Sequence, residues 1–303
     1  MEKKCTMPEP LLPGNTIGIA APAGPCDPED VKRGVRILES AGYAVMLPEG
    51  LFEKRAYLAG TDAHRAEILS RLFADDSVKA VFCARGGYGS MRILPLLDRE
   101  FFRGHPKIFT GFSDITALLC FFQHHCGMVC FHGPVLSTLD EGDSLTALLQ
   151  AVSGQGHLLI QQENAAVLRP GRASGPVSGG NLATLCHLVG TDFAPCFQGQ
   201  ILILEDWNEP PYKIDRMLTQ MRLSGCFADL KGLILGSFEH CGTEAEIHSI
   251  IKDVFQDSEI PVMSGFSFGH GSPNITVPLG LMAEMDTDNA LLAFHASEAG
   301  IRI

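Results

Sequence analysis

The chain has 303 residues, 46% hydrophobic and 19% charged, a composition that excludes a disordered chain and leaves room for two domains of about 100–200 residues. Its formal net charge of −12 lacks the basic footprint that nucleic-acid binding requires, so no nucleic-acid partner is expected. Residues 1–13 contain no apolar leader core, and no apolar run reaches the ~18–20 residues of a membrane span, so the expectation is a cytoplasmic protein without a membrane partner.

In chain order, Thr16–Ala21 reads as a strand and Pro28–Ala41 as a helix opened by Asp27-Pro28 with acids in its first turn. Tyr43–Leu47 is a strand, Ala63–Phe73 a helix, Lys79–Cys83 a strand, and Tyr88–Leu97 a short helix after a glycine turn. Lys107–Thr110 is a strand, Asp114–His125 a helix and Met128–Phe131 a strand. Strands separated by helices of this length imply right-handed crossovers and a parallel sheet, an α/β class. The polar stretch Gly154–Gly175, with a possible hairpin of Leu158–Gln161 and Ala166–Leu168, divides the chain. Domains are expected at residues 1–155 and 176–303 with a linker at 156–175. Beyond it come a helix at Asn181–Val189, strands at Ile201–Glu205 and Leu233–Gly236, helices at Tyr212–Leu223 and Glu244–Phe255, and strands at Leu281–Met285 and Ala290–His295. The second half is therefore mixed α and β. The ten cysteines are scattered without a C-x-x-C pair and read as reduced thiols.

Four segments carry candidate chemistry. Ser113 follows a strand and precedes a helix in Gly111-Phe112-Ser113-Asp114-Ile115-Thr116, which would lift its hydroxyl to the carboxyl end of a parallel sheet; a helix-capping serine fits the same spacing. Arg85-Gly86-Gly87-Tyr88-Gly89 is a glycine turn whose N–H groups suit an oxyanion or a phosphate, or simply join a strand to a helix. Glu205 ends an apolar strand beside Asp206 and Trp207; it suits orienting a histidine or a solvated loop. His270, between Gly269 and Gly271, lies in a loop that can approach a substrate, and near neutral pH it can take and return a proton. His124, His125, Cys126, Cys130 and His132 have metal-binding side chains at the wrong spacing for a structural finger, and no metal is expected.

Taken together, these segments resemble the LD-carboxypeptidase family, which includes the microcin C immunity peptidases. The resemblance runs from Gly14-Asn15-Thr16-Ile17-Gly18 to the final strands. It is carried in order by Arg85–Gly89, Gly111–Thr116, Leu204–Tyr212 with Ile214-Asp215-Arg216, and Gly269-His270 followed by Pro278-Leu279-Gly280. It implies a flavodoxin-like or Rossmann-like N-terminal domain and a smaller mixed α/β C-terminal domain, with the site between them. It further implies Ser113 as nucleophile, Glu205 as acid and His270 as base, and the N–H groups of Gly87 and Asp114 as the oxyanion hole. Arg85 and Trp207 are candidates for substrate contact. The activity implied is removal of terminal D-alanine from a murein tetrapeptide by a homodimer that needs no cofactor. An immunity-type peptidase acting on aminoacyl-nucleotides, a nucleotide-binding protein using Arg85–Gly89 and Ser178–Gly180 as phosphate loops, and a silent binding protein of the same fold are the alternatives. The absence of a long aromatic insertion, with Trp207 as the single tryptophan, tilts the reading toward murein peptides.

Overall fold

Five short apolar runs build the first sheet of the computed structural model, which describes residues 5–154 and 158–294. These are β1 (Thr16–Ala20), β2 (Ala44–Met46), β3 (Val78–Cys83), β4 (Ile108–Gly111) and β5 (Cys130–His132). All are parallel, in the spatial order β2-β1-β3-β4-β5. This is the flavodoxin-like order, in which ligands bind outside the carboxyl ends of the strands near the point where the order reverses. The crossovers are made by α1 (Pro28–Ser40), α2 (Asp62–Ala74), α3 (Ser90–Ile93), α4 (Arg99–Gly104) and α5 (Thr116–Cys120), and α6 (Asp143–Val152) follows. Local chemistry starts these helices: Asp27 accepts from Glu29 N, and Thr61 accepts from His64 N. A cluster of Phe73, Phe102, Phe109, Phe121 and Phe122 packs edge-on and stacked beneath the sheet.

The helix expected over Asp114–His125 is divided in three. Ser113–Ile115 is a 3₁₀ turn, α5 follows, and Phe121–Cys126 widens into a π-helical turn ended by Gly127 at φ 66°. The wide turn brings consecutive side chains inward. Phe122 joins the phenylalanine cluster, Gln123 donates to Val177 O, and His124 bonds Ser178 Oγ.

The second sheet contains β6 (Leu159–Gln161), β7 (Ala166–Arg169), β8 (Arg172–Asn181), β9 (Ile201–Trp207), β10 (Gly232–Glu239) and β11 (Val262–Ser264). Next in the chain is β12 (Val277–Leu279), then β13 (Met282–Asp286) and β14 (Leu291–Phe294). The order is β6-β14-β13-β8-β9-β10-β11-β7, with β8 to β11 parallel and antiparallel strands outside them. Helices α7 (Leu182–Leu188), α8 (Pro211–Leu223) and α9 (Glu244–Val254) complete this half. β12 leaves it and pairs antiparallel with β5, at the edge of the first sheet.

Two expectations change here. The expected hairpin does not form: β6 and β7 sit at opposite edges of the second sheet, because β14 and β11 offer each a partner. Ser178–Gly180 is not a phosphate loop but the buried end of β8, where Ser178 Oγ is held by Gln123 and His124. Between 156 and 175, the described residues supply β6, β7 and the start of β8. His295 lies outside the described residues.

Candidate active site

Ser113 stands where β4 turns into the 3₁₀ segment, with φ +62°. A non-glycine residue in this left-handed region is strained, and such strain persists where surrounding structure holds it. The turn pushes the serine out of the sheet against Gly86. A Cβ placed on Gly86 would lie 3.0 Å from Ser113 Cβ and 3.2 Å from its Oγ, so a side chain there would crowd the serine. The carboxylate of Asp114, almost fully buried, accepts from Ser90 N at 2.8 Å, and Ser90 Oγ donates back to Asp114 O. These bonds tie the start of α3, and with it the glycine turn, to the elbow. Gly24 N donates to Gly86 O at 3.0 Å and fixes the turn from the other side. Among the described residues, the N–H groups of Gly87 and Asp114 donate to no other backbone group outside helices and strands.

Glu205 lies in β9, whose apolar run is buried like the central strand of a parallel sheet, and it is itself fully buried. Its Oε2 accepts from His270 Nδ1 at 2.7 Å. With Nδ1–H donating there, a neutral ring carries its lone pair on the other nitrogen, Nε2. The His270 loop is fastened on both sides: Gly269 N donates to Asn274 Oδ1 and Gly271 N to Ser237 Oγ. Gly269 has φ +101°, and a Cβ there would meet Glu205 Oε2 at 2.5 Å. The His270 ring packs edge-on against Phe112, the residue before Ser113, with centroids 4.8 Å apart. The contact between the His270 ring and the elbow is made through Phe112, and among the described residues no hydrogen bond joins Ser113 to His270. Such contacts are often long without substrate and tighten on binding.

His132, at the end of β5, is a site residue that sequence reasoning placed in a weak metal cluster. It is fully buried, pairs in register with Gly111, and places Nε2 3.8 Å from Glu205 Oε1. Burial alone would drive the Glu205 carboxyl up; His132 and His270 outweigh it and hold the group down to about 2. The next residue behaves oppositely. Burial, helped by the charge of Glu205, pushes Asp206 up to about 6, against hydrogen bonds from Trp207 N, Asn181 Nδ2 and Ala183 N. Asp206 therefore caps α7 and anchors the strand end that presents Glu205. Among the described residues, no group of three or more His, Cys, Asp or Glu side chains is placed to hold a metal ion.

Trp207 is half exposed and stacks on His270, with centroids 6.0 Å apart and planes at 19°. Arg85 is exposed and lines, with Gly87, a cleft of about 700 Å³ that also includes Lys54, Tyr57 and Tyr88. Lys54 lies in a loop without sequence pattern and had no signal to mark it. The described residues hold no helix long and apolar enough to cross a membrane. All ten cysteines are unpaired.

Family models for the LD-carboxypeptidase N-terminal and C-terminal domains match residues 17–133 and 174–285. A probable murein peptide carboxypeptidase of Bacillus subtilis is 37% identical over 97% of each chain. Among solved structures, an MccF-like protein from Bacillus anthracis superposes with a TM-score of 0.89 at 25% identity, covering 95% of this chain and 98% of that one. A muramoyltetrapeptide carboxypeptidase from Oxalobacter formigenes gives 0.82 at 28% identity, covering 92% and 98%. Two domain matches spanning most of the sequence, and a full-length relative well above 30% identity, lead to one conclusion: the chain belongs to the LD-carboxypeptidase family and is a serine-type LD-carboxypeptidase.

Proposed function

We propose that the protein removes the terminal D-alanine from murein tetrapeptide in the cytoplasm, through an acyl-enzyme formed on Ser113. The observation that carries this reading is the buried Glu205–His270 hydrogen bond, set against Phe112 beside the strained elbow serine. The names of relatives that act on murein peptides support the substrate. In this scheme His270 Nε2 takes the Ser113 proton as Oγ attacks the carbonyl between the diamino acid and D-alanine. Glu205 holds the ring and stabilises the imidazolium. The carbonyl oxygen becomes an anion received by the N–H groups of Gly87 and Asp114; one such donor is typically worth ~3–4 kcal/mol. The tetrahedral intermediate collapses, His270 protonates the departing D-alanine amine, and water, deprotonated by the same histidine, releases the acyl group. Arg85 and Trp207 contact substrate. Residues 1–155 bring the nucleophile and 176–303 the acid and base, and two such chains form the working homodimer.

The test is incubation with L-Ala-D-Glu-(diamino acid)-D-Ala, without added metal, alongside Ser113→Ala. Free D-alanine that appears with wild type and not with the variant supports the scheme, and a wild type that releases none refutes it. Because the fold also matches an MccF-like protein closely, an aminoacyl-sulfamoyl adenylate is the second substrate; cleavage of it alone would select the immunity-type reading. Sedimentation equilibrium tests the dimer, and a single species at monomer mass refutes it.

A further inference from the structure

The cleft lined by the glycine turn has a chemistry of its own. Gly86 touches Ser113, and Arg85 and Gly87, its sequence neighbours, both line the cleft. Lys54 lines it too, no acidic side chain does, and among the described residues neither cation is ion-paired. Arg85 spends one weak hydrogen bond, 3.3 Å, on Pro25 O, which leaves most of its N–H fork uncommitted. In a chain of net charge −12, two unpaired cations in one concavity form a local field opposed to the global one. The wall is held in place. Arg55 and Leu58 exchange two backbone hydrogen bonds of 2.8 and 3.0 Å around Ala56, at φ +54°, and Ala59 N donates to Ala23 O. This turn carries Lys54 and Tyr57, and the exposed Tyr57 ring meets Tyr88 at 5.8 Å.

We infer that this cleft is the leaving-group pocket, in which Arg85 and Lys54 take the α-carboxylate of the D-residue about to be released. The inference rests on the LD-carboxypeptidase reading and extends it. An enzyme that removes a single terminal residue must meet a carboxylate two bonds beyond the scissile nitrogen, so the anion receptor has to adjoin the elbow. Arg85 sits one residue from the glycine that touches Ser113. A planar guanidinium matches a carboxylate bidentately, and Lys54 adds a point charge. A longer peptide would present a neutral amide there, so the pair would also select for chain ends.

The test is binding calorimetry on Ser113→Ala with two probes, the tetrapeptide acid and the same peptide ending in D-alaninamide. The acid is expected to bind at least tenfold tighter. Adding Lys54→Gln and Arg85→Gln to Ser113→Ala should bring the two probes within threefold by weakening the acid alone, and Arg85→Lys should restore part of the preference. Melting curves of each variant check the fold, which both exposed side chains can lose without disturbing a core. Equal binding of acid and amide, or a preference that survives both substitutions, overturns the inference. So does competition by AMP with no competition by D-alanine, which would give the cations to a nucleotide phosphate. Because binding is read without the nucleophile, a wild type that releases no D-alanine but keeps the acid preference refutes the murein reaction and not the pocket.

Discussion

Replacing Glu205 with glutamine tests the acid–base pair directly. The amide oxygen can still accept from His270 Nδ1, and the NH₂ group then faces His132, whose Nε2 lies 3.8 Å from the wild-type Oε1. Ring orientation is retained and the charge is lost. Across the 2.7 Å hydrogen bond the charge centres are about 4 Å apart, and at an effective dielectric constant of about 20 the attraction to an imidazolium is about 4 kcal/mol. At about 1.4 kcal/mol per factor of ten, kcat should fall about a thousandfold. KM should stay within about threefold, since Glu205 is buried and meets no substrate. The wild-type carboxyl is held down to about 2, so it stays ionised above about pH 3 and the charge difference between the two proteins is present throughout pH 5 to 8. The assay is steady-state release of D-alanine from tetrapeptide. A loss below about tenfold refutes the role given to Glu205.

Ser113→Gly should relieve about 1–2 kcal/mol of left-handed strain and lose about 0.5–1 to chain flexibility, so it should melt above Ser113→Ala while neither releases D-alanine; a lower midpoint contradicts the strain. Gly269→Ala drives a methyl to 2.5 Å from Glu205 Oε2 at φ +101°, which should cost about 1–3 kcal/mol in urea unfolding and at least a hundredfold in kcat; unchanged turnover contradicts the close packing. Asp206, raised to about 6, gives the native state a tighter proton than the unfolded chain. Its penalty is absent below about pH 4, grows as pH rises and is complete above about pH 6, amounting to about 3 kcal/mol. Urea unfolding at pH 4 and pH 7 should show that loss in wild type and not in Asp206→Asn, and parallel behaviour of the two proteins contradicts it.

The first sheet was legible because each parallel strand is a short apolar run between helices with recognisable caps, such as Asp27 and Thr61. β8 was not, because Gly175, Pro176, Gly179 and Gly180 depress every local strand signal and its position is fixed by pairing with β9 and β13. Ser113, Glu205 and His270 were visible as a strand–serine–helix junction, an acid at a strand end and a glycine-flanked histidine. That Glu205 and His270 share a hydrogen bond is a consequence of the tertiary fold. His132 carried no signal of its own: only the register of β5 on β4 brings it to Glu205. The carboxylate of Asp114 was assigned nothing, although its bond to Ser90 N holds the two candidate oxyanion donors together.

The path of the chain around His270 ties the two halves mechanically. β11 belongs to the second sheet, β12 to the first, and the histidine rides on the short strap between them. The strap is moored at one end to β10, the neighbour of the strand that presents Glu205, and at the other to β5, the neighbour of the serine's own strand. Any rocking of one half on the other therefore pulls on the imidazole. A force that separates the sheets would unseat His270, the base of the proposed scheme, so catalytic competence should vanish ahead of global unfolding.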